Sequence, residues 1–453
     1  MRIGRTIPPA ASPIYFRDIV NGFGGLIHPR QKIERFKSEL KEYFGVKHVF
    51  LVSSGKAALT TILKALHILR PEKDEVLIPA FCCYSVPSAI VRAGLTVKLC
   101  DVDRDTLDFN YENLISLLSG KPENHPDIII NHPIHQPNGS AEAVDSINTA
   151  NSQLSSTQNR ARSTNTMIST ARLLAVIPIH LFGLLSDVER VREIVDDPEI
   201  AIVEDAAQVL GSEKDGKEVG TFGDVSFLSL GRSKSISAVE GGIILTDNHE
   251  IAQQISKLVD NAAPYSIYAQ IGLILQALGL AVFQRPSFFW FPKLLPFLRV
   301  GDTIYDSTFE IYRLSGFQAG LARNWRARLK DFQERRKKIS MRWASTVSRD
   351  YDYNHPSGKG IISNFIRYPI RIKDTKLWQE TLEISEKKGL GVMLTYPASI
   401  NGIAELKEMF LGQNFPAAEK LPHQLVTLPV HPYVTPKDKE RILQALTQLK
   451  MDR

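Results

Sequence analysis

Cysteine is scarce in this chain of 453 residues, and its placement excludes two common uses of the residue. The three cysteines are Cys82, Cys83 and Cys100. Two of them are adjacent and poorly placed to bridge each other, and an odd number argues against a disulfide framework. The sequence has no Cys-x-x-Cys pair and no histidine-rich tract, so we predict no metal site.

The chain also lacks an apolar segment of signal-peptide length near Arg2 and Arg5, so the cytoplasm is the predicted compartment. No motif that reads DNA or RNA is present, and we predict no nucleic-acid partner. The net charge of +6 comes from scattered basic residues, with one cluster, RRKK, at 335–338. Such a cluster is typical of a solvated helix face. Attraction of anionic substrates or anionic lipid head groups is the alternative.

Bulky apolar residues are almost absent from 138–170, which is rich in Ser, Thr, Asn, Gln and Ala. Such a segment cannot bury enough surface to offset its ordering entropy. We therefore predict that this segment is disordered or mobile.

No apolar run is long enough to cross a bilayer, but residues 264–300 come nearest. Residues 271–283 are apolar except for Gln276, and the aromatic cluster FFWF at 288–291 lies between Arg285 and Lys293. Thirteen residues suit a core, re-entrant or interfacial helix. Two interpretations stay open: packing at a dimer interface or over the active site, and peripheral contact with a membrane.

Short apolar runs alternate with helical patterns through the first half of the chain. A helix over 30–44 ends at Gly45, a buried strand follows, and a second helix begins at the Gly55 turn. This rhythm predicts an α/β fold with a mostly parallel sheet between two layers of helices. In such sheets ligands bind beyond the carboxyl ends of the strands.

Four polar landmarks follow such strands in one order: Asp205, Ser229, Lys234 and the turn Glu240-Gly-Gly. A lysine can hold an aldehyde as a Schiff base and can move a proton. A carboxylate can pair with a protonated pyridine nitrogen, which keeps the ring able to accept electrons. A serine hydroxyl can bind a phosphate. This set of groups suits pyridoxal phosphate as cofactor.

That order of landmarks resembles the DegT/StrS family of sugar aminotransferases, over about residues 32–450. The resemblance implies the fold-type I architecture of pyridoxal-phosphate enzymes, with a large domain at 1–315. The pattern of the chain itself predicts a long linking helix from about Gly316 and a small α+β domain, which together fill 316–453. The resemblance also implies that most of 120–171 is an insertion, with the polar segment as its disordered or mobile centre. The matching segments are FGVKHV at 44–49, SSGKAAL at 53–59, DEVLIP at 74–79, DVD at 101–103, PIHLFG at 178–183, VEDAAQ at 203–208, YRL at 312–314 and LPVHP at 428–432.

The resemblance implies a role for each of these positions. Lys234 would carry the cofactor and move the proton, and Asp205 would pair with the ring nitrogen. Gln208 would approach the ring hydroxyl. Considered alone, Lys234 could be a surface lysine and Asp205 a helix cap. His180 could be a satisfied buried histidine, and it receives no chemical role.

Phosphate is expected at the start of a helix, on the backbone amides of Gly55 and Lys56, with Ser229 adding its hydroxyl. The sequence departs from the family here, because Lys56 stands where Thr or Ser is usual. Cys83 stands where an aromatic usually covers the ring, so Tyr84 is the predicted cover, with a core position as its alternative. Ile311 replaces an asparagine that family members often lend to the partner's phosphate in a homodimer.

The activity implied is transfer of an amino group, from glutamate, onto a keto-sugar nucleotide for surface polysaccharide or a related glycan. Family dehydratases carry histidine in place of the lysine, so Lys234 argues against that reaction. Two alternatives remain: another fold-type I enzyme acting on an amino acid, and a non-catalytic membrane-associated member of the family.

Overall fold

The computed structural model describes residues 3–119, 169–295, 301–347 and 360–451. The predicted insertion at about 120–171 therefore lies almost entirely outside the described residues, as do residues 296–300 of the hydrophobic segment.

Twelve strands and fourteen α-helices make up the described part of the chain. In chain order these are α1 (Phe16–Ile27), α2 (Pro29–Phe44), β1 (His48–Val52), α3 (Gly55–Leu69), β2 (Glu75–Pro79), α4 (Ser85–Arg92), β3 (Thr96–Cys100), α5 (Tyr111–Ser119), β4 (Leu173–Val176), α6 (Val188–Val195), β5 (Ala201–Asp205), β6 (Glu213–Lys214), β7 (Lys217–Glu218), β8 (Val225–Ser229), β9 (Gly242–Thr246), α7 (His249–Asn261), α8 (Ile267–Phe283), α9 (Trp290–Lys293), α10 (Gly316–Leu321), α11 (Trp325–Val347), β10 (Ile361–Ile362), β11 (Arg367–Arg371), α12 (Thr375–Lys388), α13 (Pro416–Lys420), β12 (Leu425–Pro429) and α14 (Pro436–Met451).

The central sheet has seven strands in the order β1-β9-β8-β5-β4-β2-β3. β9 runs antiparallel to both of its neighbours, and the other neighbouring pairs are parallel. Successive side chains of β2 enter different cores: Val76 and Ile78 pack with α3 and α4, whereas Leu77 packs with α5 and α6. Helices thus cover both faces of the sheet, which confirms the predicted fold class.

A two-stranded antiparallel sheet, β11 with β12, packs with α11, α12 and α14 around the buried Trp343 and Tyr368. This is the small α+β unit expected near the carboxyl end. Its boundary at residue 316 stays a prediction.

The single long helix predicted from about Gly316 is wrong. α10 ends at Leu321 and α11 begins at Trp325. The carbonyl of Leu321 accepts a hydrogen bond from the guanidinium of Arg328 at 2.9 Å, while that guanidinium also pairs with the buried Asp18 of α1 at 3.1 Å. An arginine within α11 therefore satisfies the last carbonyl of α10. The helical periodicity of the sequence does not predict this contact.

The apolar segment over 264–300 forms α8 and α9, and α8 turns one face outward. Leu273 and Ala277 are buried, but the opposite side of the helix is exposed. The exposed residues are Ile267, Tyr268, Ile271, Leu275, Leu278 and Val282, and Phe16, Val20, Phe23 and Ile27 of the neighbouring α1 are exposed as well. No helix within the described ranges is both long and apolar enough to cross a membrane.

Candidate active site

Several strands of the central sheet end at the same edge, and the predicted site residues follow them. β5 ends in Asp205, β8 ends in Ser229, and α3 begins at Gly55 just after β1. β9, which runs the other way, starts at this edge with Gly242. The topology therefore brings together residues that are far apart in the chain.

The turn that carries Lys234 is fixed by its own backbone and by a buried arginine. The amide of Lys234 donates to the carbonyl of Gly231 at 3.2 Å. The guanidinium of Arg336 donates to the carbonyls of Lys234 at 3.0 Å and Ser235 at 2.7 Å. The hydroxyl of Ser12 also donates to the Lys234 carbonyl. Arg336 belongs to the cluster predicted as a solvated face, and that prediction is wrong for this residue, which is 1% exposed.

The side chain of Lys234 is partly buried and has no hydrogen-bond or ion-pair partner among the described residues. Burial lowers the pKa of Lys234, and the positive charge of Arg367 acts in the same direction. Cys83 and Asp205 oppose this effect. A lysine in such surroundings has a larger neutral fraction near pH 7 than an exposed lysine, and the neutral amine is the form that acts as nucleophile or base.

Asp205 is 3% exposed, and burial raises its pKa to about 6. A hydrogen bond from the amide of Ala207 at 2.9 Å and the charge of Lys234 reduce the shift without abolishing it. An ionised carboxylate here lacks a full complement of partners among the described residues. A cationic group beside Asp205 would supply what is missing.

The neighbouring Glu204 and His180 form a satisfied buried pair. The ring of His180 accepts from the amide of Ser186 through Nδ1 at 2.9 Å, so Nε2 donates to Glu204 at 3.1 Å. Glu204 also accepts from the amides of Gly220 and Phe222. Burial would raise the pKa of Glu204, but these hydrogen bonds lower it below its ordinary value. The pair holds the end of β5 in place, where Asp205 lies.

Gln208 connects the site to two aromatic residues. Its side-chain oxygen accepts from the amide of Phe182 at 3.1 Å, and its nitrogen donates to the hydroxyl of Tyr396 at 3.2 Å. The rings of Phe182 and Tyr396 stack with 5.6 Å between centroids. Gln208 is thus held in one orientation beside Asp205.

The start of α3 faces Ser229 directly. A Cβ atom placed on Gly55 would lie 3.1 Å from Ser229 Cβ and 3.3 Å from Ser229 Oγ. Ser54 caps the helix by accepting from the amide of Ala57 at 3.1 Å. The amides of Gly55 and Lys56 have no partner within the described part of the chain. Two free amides and a hydroxyl at a helix start are the donors that bind a phosphate.

The ammonium of Lys56 lies in a different environment from its amide. It pairs with Asp306 at 2.9 Å and lies 4.3 Å from the centroid of the Phe309 ring. The hydrogen bond from Lys56 lowers the pKa of Asp306 to about 2. The predicted phosphate role of Lys56 therefore stays open for its backbone amide, while its charge is already neutralised.

Tyr84 and Cys83 occupy the segment predicted to cover the ring. The hydroxyl of Tyr84 donates to the carbonyl of Ala398 at 3.0 Å and accepts from its amide at 2.9 Å. The Tyr84 ring lies nearly parallel to Tyr396, with 6.4 Å between centroids. Cys83 Sγ lies 2.8 Å from Ser85 Oγ and close enough to Lys234 to affect its pKa. Tyr84 as the cover of a ring stays a prediction.

Ile311, at the third departure from the family pattern, packs against the core of the large sheet. Its neighbour Tyr312 exchanges backbone and side-chain hydrogen bonds with Ser53 at the end of β1.

The glycine pair after Glu240 allows close packing at this edge. Gly241 has φ of +152°, and a Cβ atom on Gly242 would overlap the carbonyl oxygen of Ser54 and lie 3.0 Å from Ala58 Cβ.

We expect Gly242→Ala to lower the free energy of unfolding by about 2 kcal/mol or more, measured by urea denaturation, because the backbone must move. Gly272→Ala in α8 is the control: its Cβ would meet nothing within 4 Å, so stability should stay equal or rise. Equal losses in both variants would contradict the packing argument.

The residues that the structure brings together at this edge fit pyridoxal phosphate. A buried carboxylate with a raised pKa matches the cofactor's ring nitrogen. Among the described residues, Lys234 and the amides of Gly55 and Lys56 have no partners, so the lysine matches the aldehyde, and the amides beside Ser229 match the phosphate.

The fold and the site together define the fold-type I class of pyridoxal-phosphate enzymes. Residues 19–132 and 162–447 match the model of the DegT/DnrJ/EryC1/StrS aminotransferase family, and the chain belongs to that family.

One relative of known name is distant in sequence. GDP-perosamine synthase of Vibrio cholerae is 25% identical over 245 residues, which is 54% of this chain and 52% of that protein. The chain thus spans about half the length of this curated relative.

Two solved structures are similar over nearly the whole chain. The putative sugar aminotransferase Spr1654 from Streptococcus pneumoniae, in its PMP form, has a TM-score of 0.71 at 17% identity and covers 99% of this chain and 98% of its own. PseC of Helicobacter pylori, an aminotransferase of pseudoaminic acid biosynthesis, has a TM-score of 0.69 at 16% identity and covers 99% and 100%. Similarities at this identity establish the fold.

The sequence patterns did not predict three residues of the site. Arg336 fixes the Lys234 turn, Tyr396 holds Gln208, and Arg367 affects the pKa of Lys234. One sequence feature indicates that Arg336 is buried. It has helical spacing with the apolar residues Leu329, Phe332 and Ile339, which form the buried face of α11.

Proposed function

We propose that the protein is a pyridoxal-phosphate-dependent aminotransferase that moves an amino group from glutamate onto a keto-sugar nucleotide for glycan biosynthesis. The observation that carries this proposal is Lys234, which has no partner in the described ranges and lies close to a buried Asp205 whose pKa is raised to about 6. Membership of the DegT/DnrJ/EryC1/StrS family supports the sugar as the acceptor class.

When bound, pyridoxal phosphate supplies an aldehyde that carries the amino group and a ring that accepts electron density. Asp205 would hold the ring nitrogen by charge, and Ser229 with the amides of Gly55 and Lys56 would hold the phosphate. Lys234 Nζ would take a proton from the carbon that bears the donor's amino group, since its lowered pKa makes the neutral amine available. It would later donate that proton again, and it would do so in both halves of the reaction. Arg336 keeps the Lys234 turn in register for this transfer.

The test separates the two halves of the reaction. Protein loaded with the cofactor is mixed with L-glutamate, and we expect about one equivalent of 2-oxoglutarate per subunit. A keto-sugar nucleotide added next should be converted to its amino sugar. Release of ammonia or carbon dioxide instead of amine transfer would favour another fold-type I reaction, and no reaction with any amino donor would favour a non-catalytic family member.

Assembly and location belong to the proposal as well. We propose a homodimer, as the resemblance to the family implies. The exposed stripe of α8 matches the composition from which peripheral membrane contact through 264–300 was predicted, and it equally suits a subunit interface. Membrane contact and a cytoplasmic location stay predictions.

A further inference from the structure

Exposed apolar side chains are concentrated on two neighbouring helices, α1 and α8. The described part of the chain exposes twenty-one large apolar side chains, and eleven of them lie on these two helices. The α1–α8 face is the name used below for the exposed apolar side chains of Phe16–Ile27 and Ile267–Phe283. Apolar clusters of this extent on a protein surface mark a site of interaction.

The two helices form one continuous surface. Their buried sides belong to the same core, and the helices contact each other. They run in opposite directions. A cavity of about 430 Å³ is lined by Arg30, which follows the end of α1, and by the first turn of α8. At the other end Tyr433 lies close to Tyr15, which precedes α1, and to Arg285, which follows α8. The outward sides of the two helices therefore lie next to each other along their length.

The charges on this surface are all positive. α8 contains no charged residue, and the sequence has no acidic residue over 261–301. The only acidic residue of α1, Asp18, is fully buried. Neither helix, both of which the structure describes in full, thus exposes a carboxylate. Exposed arginines stand at both ends, with Arg17 and Arg285 at one end and Arg30 at the other.

Two acidic residues of neighbouring helices come close to the Arg30 end. Glu34 lies 3.1 Å from Lys37, which neutralises its charge. Glu34 and Asp260 line the cavity there together with three cations, Arg30, Lys37 and Arg313. Since cations outnumber acids in this cavity, the rim of the α1–α8 face is positive at both ends.

We propose that the α1–α8 face docks on the surface of a bilayer that contains anionic lipids. The buried side of α8 stays in the core, so the helix lies along the bilayer and its outward side chains enter the interfacial region. The arginines at both ends then meet anionic head groups. A second copy of this chain fits this face less well. In a two-fold contact the surface would face itself, and a positive rim would meet a positive rim. The docking does not depend on the proposed reaction.

The first test is flotation of the full chain with vesicles of phosphatidylcholine alone or mixed with phosphatidylglycerol. We expect the wild type to bind the mixed vesicles more strongly, and high salt to weaken that binding. Leu275→Glu should weaken it about tenfold or more, because a charge replaces an apolar side chain that enters the interface. Ile68→Glu in α3 is the control, since Ile68 is 53% exposed against 62% for Leu275 but lies outside the face. It should bind as the wild type does.

A second pair of variants tests the positive rim. Arg17→Gln combined with Arg285→Gln should weaken binding to the mixed vesicles more than tenfold, because each cation near an anionic surface contributes about fivefold. Binding to phosphatidylcholine alone should change little. Lys407→Gln combined with Lys420→Gln is the control, because it removes the same charge from exposed positions outside the face. That control should bind both kinds of vesicle as the wild type does.

Amine transfer in solution and the unfolding temperature should not change in Leu275→Glu, because Leu275 is exposed and lies outside the site. This result separates a failure of docking from a failure of the proposed reaction. A wild type that ignores both kinds of vesicle would overturn the proposal, as would equal binding of Leu275→Glu and the wild type. If Leu275→Glu instead dissociates an oligomer in sedimentation velocity without vesicles, a second copy covers the face and the lipid proposal is wrong.

Discussion

Replacing Lys234 with alanine should abolish amine transfer while leaving the protein folded. The loss should reach about a thousandfold or more, because the variant lacks both the group that joins the cofactor and the group that moves the proton. The absorbance band that marks the cofactor joined to a lysine should disappear with the activity. Thermal unfolding should be unchanged or slightly raised, since burial lowers the pKa of Lys234 and its charge has no partner among the described residues.

Lys257→Ala is the control for this experiment. Lys257 lies exposed on α7 and contacts Gln254 at 3.5 Å, so its removal takes away a lysine without touching the site. Activity in Lys257→Ala should equal that of the wild type. A Lys234→Ala protein that turns over at the normal rate would assign the chemistry to another residue.

The sequence predicted those parts of the site that follow buried strands. Asp205, Ser229 and Gly55 each come at the end of a short apolar run, and the carboxyl ends of parallel strands meet at one edge. Local rules also predicted the end of α2, since Gly45 adopts φ of +67° as a left-handed cap. These inferences needed only neighbouring residues and one topological rule.

Other contacts at the site join residues that are far apart in the chain. Local sequence patterns do not predict such contacts. Arg336 reaches the Lys234 turn from α11, 102 positions away, and Tyr396 reaches Gln208 across 188 positions. The ammonium of Lys56 pairs with Asp306, which lies 250 positions away in the chain. Each of these pairs depends on how the elements pack, and packing is decided by the whole chain.

Asp205→Asn should separate a catalytic cost from a gain in stability. Turnover should fall about 10²- to 10³-fold, because the amide cannot supply the charge that the ring nitrogen needs. The protein without cofactor should instead become more stable than the wild type at neutral pH. Burial raises the pKa of Asp205 from 3.8 to about 6, so the folded wild type binds more protons than the unfolded chain between these values and loses stability as pH rises. The predicted difference at pH 7 is about 2–3 kcal/mol in the free energy of unfolding, and it should shrink to about 0.5 kcal/mol near pH 4.

Asp438→Asn gives the matched control with the opposite sign. Asp438 is also buried, but the hydrogen bond from Arg5 and those within its own turn lower its pKa despite that burial. Its ionised form therefore stabilises the fold above its unfolded pKa, and the asparagine variant should be less stable than the wild type at pH 7. Urea denaturation of both variants across pH 4–8 measures the two trends. If Asp205→Asn lost stability at pH 7 as Asp438→Asn does, Asp205 would be a structural carboxylate, and the charge partner of the cofactor would have to be sought elsewhere at this edge of the sheet.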